Sequence, residues 1–295
     1  MDGFKETVVI WSAELRRAVR SGRVVVLLGL YSMFSALVLL VVGYATREMQ
    51  AQVNAKLAEV GADAEASARA AEEIHKGMLG VLTSNDAAMM EALSQVPLVV
   101  LIVFKVTLFF LPAYVALMGF DQLSGEVGPR SIRFLTVRAR RSSVLTGKFL
   151  AQATLLVGLV LVVDLAIFIY ARMTNPDFSA AMLVLNLVKF WLAAVVFSLA
   201  YVALTALCSS LFRLPAVSLV FNFVLLFVFW LMDTIGRGVA DTNPVRFVRY
   251  LSPSYYAGNL LHPQLSEFGA SGAAYAAFAL VFLLGAHGVL RARDL

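Results

Sequence analysis

Cysteine is nearly absent from this chain of 295 residues: Cys208 stands alone, which excludes an internal disulfide and any multi-cysteine metal site. Charge is scarce as well, at 15% Asp, Glu, Lys and Arg against roughly 25% in an ordinary soluble domain. Histidine occurs only at His75, His262 and His287, widely spaced and without an H-E-x-x-H arrangement, so they read as structural or surface side chains and no metal centre is expected. The phosphate-cradling loop of nucleotide hydrolases is missing. In the only Gly-Lys pair, Gly147-Lys148, Ser142 stands where that loop needs its first glycine and Phe149 where it needs Ser or Thr. Met49, Met78, Met89 and Met90 accompany His75 in one polar stretch. Soft thioethers can hold Cu(I), but without an M-x-x-M repeat they read as packing residues.

What the chain has instead is apolar surface: 60% of its residues are hydrophobic and the mean hydropathy is +0.83. These residues gather into runs of about 20, the length that crosses a hydrocarbon core as helix. The runs are apolar on all sides, so the backbone must satisfy its own hydrogen bonds within each span. The expectation is an all-α integral membrane protein with six spans, over 24–45, 97–120, 149–171, 181–207, 215–235 and 273–290. The net charge of +5 would suggest nucleic acid in a soluble chain. Here it sorts by loop. One side carries 14 Lys and Arg, including Arg16, Arg17, Arg20 and Arg23 before the first span and Arg130 to Lys148 between the second and third, and the other side carries eight. Positive charge gathers on the cytoplasmic side, so both termini are expected there and no nucleic-acid partner is expected.

Residues 1–23 are predicted to form an amphipathic helix lying on the cytoplasmic leaflet, because Phe4, Val8, Trp11, Leu15 and Val19 recur at three-to-four-residue spacing opposite the arginines. The length of the first span and the ordered-looking residues before it argue against a cleaved leader. The polar stretch 46–96 shows a helical stripe through Met49, Val53, Leu57, Val60, Ile74 and Met78. Gly61 and the pair Gly77/Gly80 read as breaks, and Thr83, Ser84, Asn85 and Asp86 as candidate caps of a further helix. It reads as a helical extracytoplasmic insert that is a candidate for binding an outside partner. A second outer loop, 236–272, joins the last two spans.

Three charges fall inside spans, where an ionised group is costly and usually faces a partner or a cavity. Lys105, Asp164 and Lys189 all lie about 10–12 Å below the outer edge at 1.5 Å per residue. Opposite charges at one level predict that Asp164 pairs with one of the lysines. The same three residues would be the relay of an ion-coupled secondary transporter, a rival reading for which inverted repeats are missing. Asn186 and Asn222 are expected to hydrogen-bond between helices.

The loop 121–148 is the most specific feature. Asp121-Gln122-Leu123-Ser124-Gly125-Glu126 leaves the membrane, Ser131-Ile132-Arg133-Phe134-Leu135 follows, and Arg140-Arg141 and Gly147-Lys148 lead back into an apolar span. Ile132 and Leu135 fall on one helical edge with Phe134 alongside, a short element suited to dock in a groove of a cytosolic partner.

This order resembles the ABC-2 family of ABC transporter permeases, in particular its NosY-like branch. Asp121, Ser124, Glu126, Ser131, Ile132, Arg133, Leu135, Arg141, Gly147 and Lys148 match the family's motif. Tyr250-Leu251-Ser252-Pro253 matches the L-S-P of its last outer loop, where short re-entrant helices are usual. Arg130 replaces the usual glycine, and the proline customary before the arginine is missing around Arg138 to Arg140. The resemblance implies a homodimeric permease of a bacterial plasma membrane, working with separate ATPase subunits that bind ATP and Mg while this chain binds no cofactor and catalyses nothing. It implies export of a lipid-like, peptide or other hydrophobic cargo. It further implies that Gly125 to Val137 is a coupling helix, with Asp121, Glu126, Ser131, Ile132, Arg133, Phe134 and Leu135 as its working residues. A non-transporting assembly platform built on the insert is the other rival.

Overall fold

The computed structural model describes residues 3–59, 64–128, 139–174, 180–239 and 243–293. Among them there is no strand. The helices are α1 (Gly3–Arg20), α2 (Arg23–Glu59), α3 (Ala64–Thr83), α4 (Ala87–Leu93), α5 (Leu98–Gly119), α6 (Ser124–Val127), α7 (Arg141–Thr174), α8 (Ala180–Leu211), α9 (Pro215–Gly238) and α10 (Leu265–Ala292), with two 3₁₀ helices, Pro244–Leu251 and Pro253–Leu261, before the last. Six of these, α2, α5, α7, α8, α9 and α10, are long and apolar enough to cross a membrane. The chain is an all-α integral membrane protein.

Several helices outrun the apolar runs that announce them. α7 begins at Arg141, eight residues before Phe149, and α10 begins at Leu265, eight before Ala273. α2 continues to Glu59, well into the polar insert. Gly77 and Gly80 do not break α3, which runs on to Thr83. The break comes at Ser84 and Asn85, both left-handed with φ near +58° and +59°, after which the Asp86 carboxylate accepts the Met89 N–H at 3.0 Å and caps α4.

The core is built on α8. Its small residues Ala193, Ala200, Ala203 and Ala206 are fully shielded, which lets neighbouring backbones approach closely. Phe190 wedges between two spans, edge-on to Phe104 of α5 at 4.5 Å and to Phe168 of α7 at 5.5 Å. α10 lies along the other side, with Gly285 facing Leu207 and Tyr275 beside Phe197. In contrast, α2 and α9 expose large side chains such as Val25, Leu40, Val220 and Phe227, a surface suited to lipid or to a second copy.

α1 packs against the first half of α7. The ends of its apolar stripe face away from the protein, Phe4 at 79% and Val19 at 63% exposed, while Trp11 and Leu15 are half-buried. The face that meets α7 carries Gly3, Glu6, Thr7, Ile10 and Glu14, with Ile10 seated on Gly147, where any Cβ would come within 2.9 Å of the isoleucine side chain. Trp11 donates its indole N–H to Thr154 Oγ1 at 3.1 Å, far up α7.

Candidate functional site

At the end of the bundle that carries α1, the residues around 121–148 are held from several directions. The short helix α6 is anchored on α8 through one hydroxyl. Ser209 Oγ accepts the backbone N–H groups of Leu123 and Ser124 at 2.9 and 3.0 Å and donates to the Phe120 carbonyl at 3.0 Å. Gly128 then passes the Arg213 carbonyl so closely that a Cβ would sit 2.8 Å from its oxygen. Glycine is the residue that fits.

Around this anchor the charges close on one another. Lys148, with its side chain only 4% exposed, donates to Glu14 Oε1 at 2.6 Å and to Glu126 Oε1 at 2.8 Å. Arg17 approaches the same Glu126 oxygen at 3.6 Å. Arg23, at the start of α2, binds both oxygens of Asp121 at 2.7 and 3.3 Å and also donates to the Met118 carbonyl. A buried ammonium is costly unless paired and hydrogen-bonded, and two carboxylates meet that demand here. Every charged group of the cluster is matched to an opposite one. Its capacity is mechanical, because it fastens α1, α2, α6 and α7 together.

The other flank of the loop is fixed too. The Glu6 carboxylate accepts the Arg140 N–H at 3.0 Å, and this bond, more than any other influence, holds its pKa below the ordinary 4.5. The Arg141 guanidinium donates to the carbonyls of Leu290, Arg291 and Arg293 at 2.8, 2.8 and 3.1 Å and so caps the C-terminal end of α10. Arg293 in turn donates to the Leu211 carbonyl at the end of α8. Burial and the neighbouring Arg213 lower its pKa.

Of the residues singled out from the sequence, Asp121 and Glu126 are thus brought into one cluster with Lys148. Ser131, Ile132, Arg133, Phe134 and Leu135 lie outside the described residues. Between the anchored flanks, Gly128 on one side and Arg140 on the other, the loop has both of its ends tied to the bundle. Sequence reasoning missed Glu6, Glu14 and the role of Arg23. The signal was present: Glu6, Ile10 and Glu14 recur every fourth residue on the face opposite the apolar stripe, which marks a face that meets protein rather than water.

The intramembrane charges do not form the expected pair. Among the described residues no ion pair joins Asp164 to Lys105 or Lys189. Asp164 lies within electrostatic reach of Tyr31 on α2, Lys105 feels Arg237 on α9, and Lys189 is exposed. Asp164 Oδ2, Tyr31 Oη, Ser35 Oγ and Thr107 Oγ1 are buried without a hydrogen-bond partner among the described residues. Asn222 does bond between helices, donating to Thr205 Oγ1 at 2.9 Å, whereas Asn186 donates back to Met182 of its own helix.

Compared with known proteins, residues 8–290 match the family model described as ABC-2 family transporter protein. No match to a curated protein accompanies it.

Proposed function

Because the chain belongs to the ABC-2 family of transporter proteins and is a permease subunit of that kind, we propose that it is the force-receiving half of an ATP-driven exporter. In this reading two copies dimerise in a bacterial plasma membrane and engage separate ATPase subunits that bind ATP and Mg. The termini and the loop 121–148 face the cytoplasm, in keeping with the excess of basic residues on that side. The cargo is lipid-like, peptide or otherwise hydrophobic. The NosY-like branch rests on the motif residues alone.

One observation carries the proposal: both flanks of the loop are bonded to spans, Glu126 through Lys148 to α7, Ser124 through Ser209 to α8, and Arg141 to the end of α10. A push on residues 129–138 therefore has a rigid path into three spans instead of being lost in a slack loop. In this arrangement Asp121 and Glu126 position the element, and Ser131, Ile132, Arg133, Phe134 and Leu135 supply its docking edge. The experiment is reconstitution of the full chain with its ATPase in liposomes. Transport and permease-dependent ATP hydrolysis are expected to need both chains, and Phe134→Ala is expected to uncouple them by weakening docking. An ATPase that never associates with this chain, or transport that runs without one, would sink the reading. Nothing favours the ion-coupled rival, since its three proposed relay residues face different neighbours.

A further inference from the structure

The charge cluster borders a cleft of about 340 Å³ that the coupling scheme does not use. It opens beside the turn between α1 and α2, where Gly22 adopts φ +71°, and reaches in toward α5 and α7. Its floor is apolar, formed by Leu27, Met118, Ala151 and Leu155. Its walls carry Arg17, Arg23 and Lys148 against Glu14, Asp121 and Glu126, an equal number of each sign. Two amide side chains also line it. Gln122 Oε1 and both amide atoms of Gln152 are buried without a hydrogen-bond partner among the described residues, and Gln152 is only 6% exposed. A buried amide left unpaired costs free energy, so this cleft asks for a ligand that brings hydrogen-bond donors and an apolar part together.

We propose that the cleft binds the headgroup of a phospholipid carrying a primary ammonium beside its phosphate. The equal number of cations and carboxylates on the walls gives a purely anionic headgroup no surplus positive charge to meet. A zwitterion finds a partner for each end: the phosphate meets Arg17, whose side chain is 72% exposed at the mouth, and the ammonium meets Asp121 and the two glutamine oxygens. A quaternary ammonium has no N–H and leaves those oxygens bare. The acyl chains run out over Leu27 and Leu155. The site is independent of any ATPase and holds whether or not the coupling proposal does.

The test uses the purified full chain in nanodiscs made of equal parts phosphatidylethanolamine, phosphatidylcholine and phosphatidylglycerol, with retained lipids counted by native mass spectrometry. Phosphatidylethanolamine is expected to be enriched about five- to tenfold over phosphatidylcholine, the worth of one or two net hydrogen bonds. Arg17→Gln and Gln152→Leu are each expected to remove most of that enrichment. Arg17 lies at the surface, so its variant folds and keeps the test decisive even where Gln152→Leu does not. Lipids retained in the proportions supplied, enrichment unchanged in Arg17→Gln, or preference for phosphatidylglycerol would overturn the proposal. Soluble O-phosphoethanolamine is expected to compete weakly, because it has no chains to cover the floor. Binding of that compound in detergent as tight as binding of the lipid would make the occupant a soluble zwitterion and overturn the lipid assignment.

Discussion

Lys148 and Asp164 sit on the same helix, sixteen residues apart, and are almost equally buried at 4% and 6% exposure, yet they are treated oppositely. The lysine receives two carboxylates; the aspartate receives no ion-pair partner among the described residues. The difference follows from where each lies. At the end of the bundle, α1 and α6 bring acidic side chains in from polar segments. In mid-span a partner must come from another span, and there polar groups are few and fixed by helix face. A buried charge at the end of a helix is thus a fastening, whereas one in the middle is a cost.

The largest test of that contrast is Lys148→Met. It leaves Glu14 and Glu126 facing each other without the cation they share and is expected to cost about 3–5 kcal/mol, read as a fall in melting temperature of the detergent-purified chain. Adding Glu14→Gln and Glu126→Gln to it should recover much of the loss. No recovery would mean that packing, not charge, was what Lys148 supplied.

Gln152 lies one turn beyond Lys148 and provides the uncharged case. Its amide rests over Gly119 so closely that a Cβ there would come 1.8 Å from Nε2. Gly119→Ala is expected to cost about 2–3 kcal/mol by forcing the amide aside, and Gln152→Ala in the same chain should restore most of it. Asp164→Asn, at the other end of the comparison, is expected to stabilise by about 1–2 kcal/mol in the same melting assay, because it removes a buried carboxyl group whose Oδ2 has no partner among the described residues. A clear loss of stability on that change would show that the carboxylate has a partner and would erase the contrast.

The spans were legible because an apolar run of about 20 residues has one physical solution in lipid, and six such runs gave six such helices. Their ends were less so. Phe149 looked like the start of the third span because Arg140, Arg141 and Lys148 precede it, and a lysine reads as water-facing until its counter-charges are known. Those counter-charges, Glu14 and Glu126, lie 134 and 22 residues away in sequence. Asp121 and Glu126 were legible as site residues from their motif, while Glu6 and Glu14 were hidden in a helix whose apolar stripe drew the attention to its other face. The Asp164 pairing failed for a related reason: counting residues along a span gives depth, and only packing gives direction.

The smallest effect sharpens the comparison at the far edge of the same helix. Glu6 lies in the first turn of α1, where a negative charge suits the helix dipole, and its carboxylate takes the Arg140 N–H just before α7 begins. That bond holds its pKa below the ordinary 4.5. A carboxylate whose folded pKa is depressed adds stability that is present above its unfolded value and is lost as pH falls through the folded one. The wild-type chain and Glu6→Gln should therefore differ in melting temperature at neutral pH and converge as the pH drops below about 4.5. A gap between wild type and Glu6→Gln that stays constant down to pH 3 would mean that the charge of Glu6 is irrelevant and that shape alone joins α1 to α7.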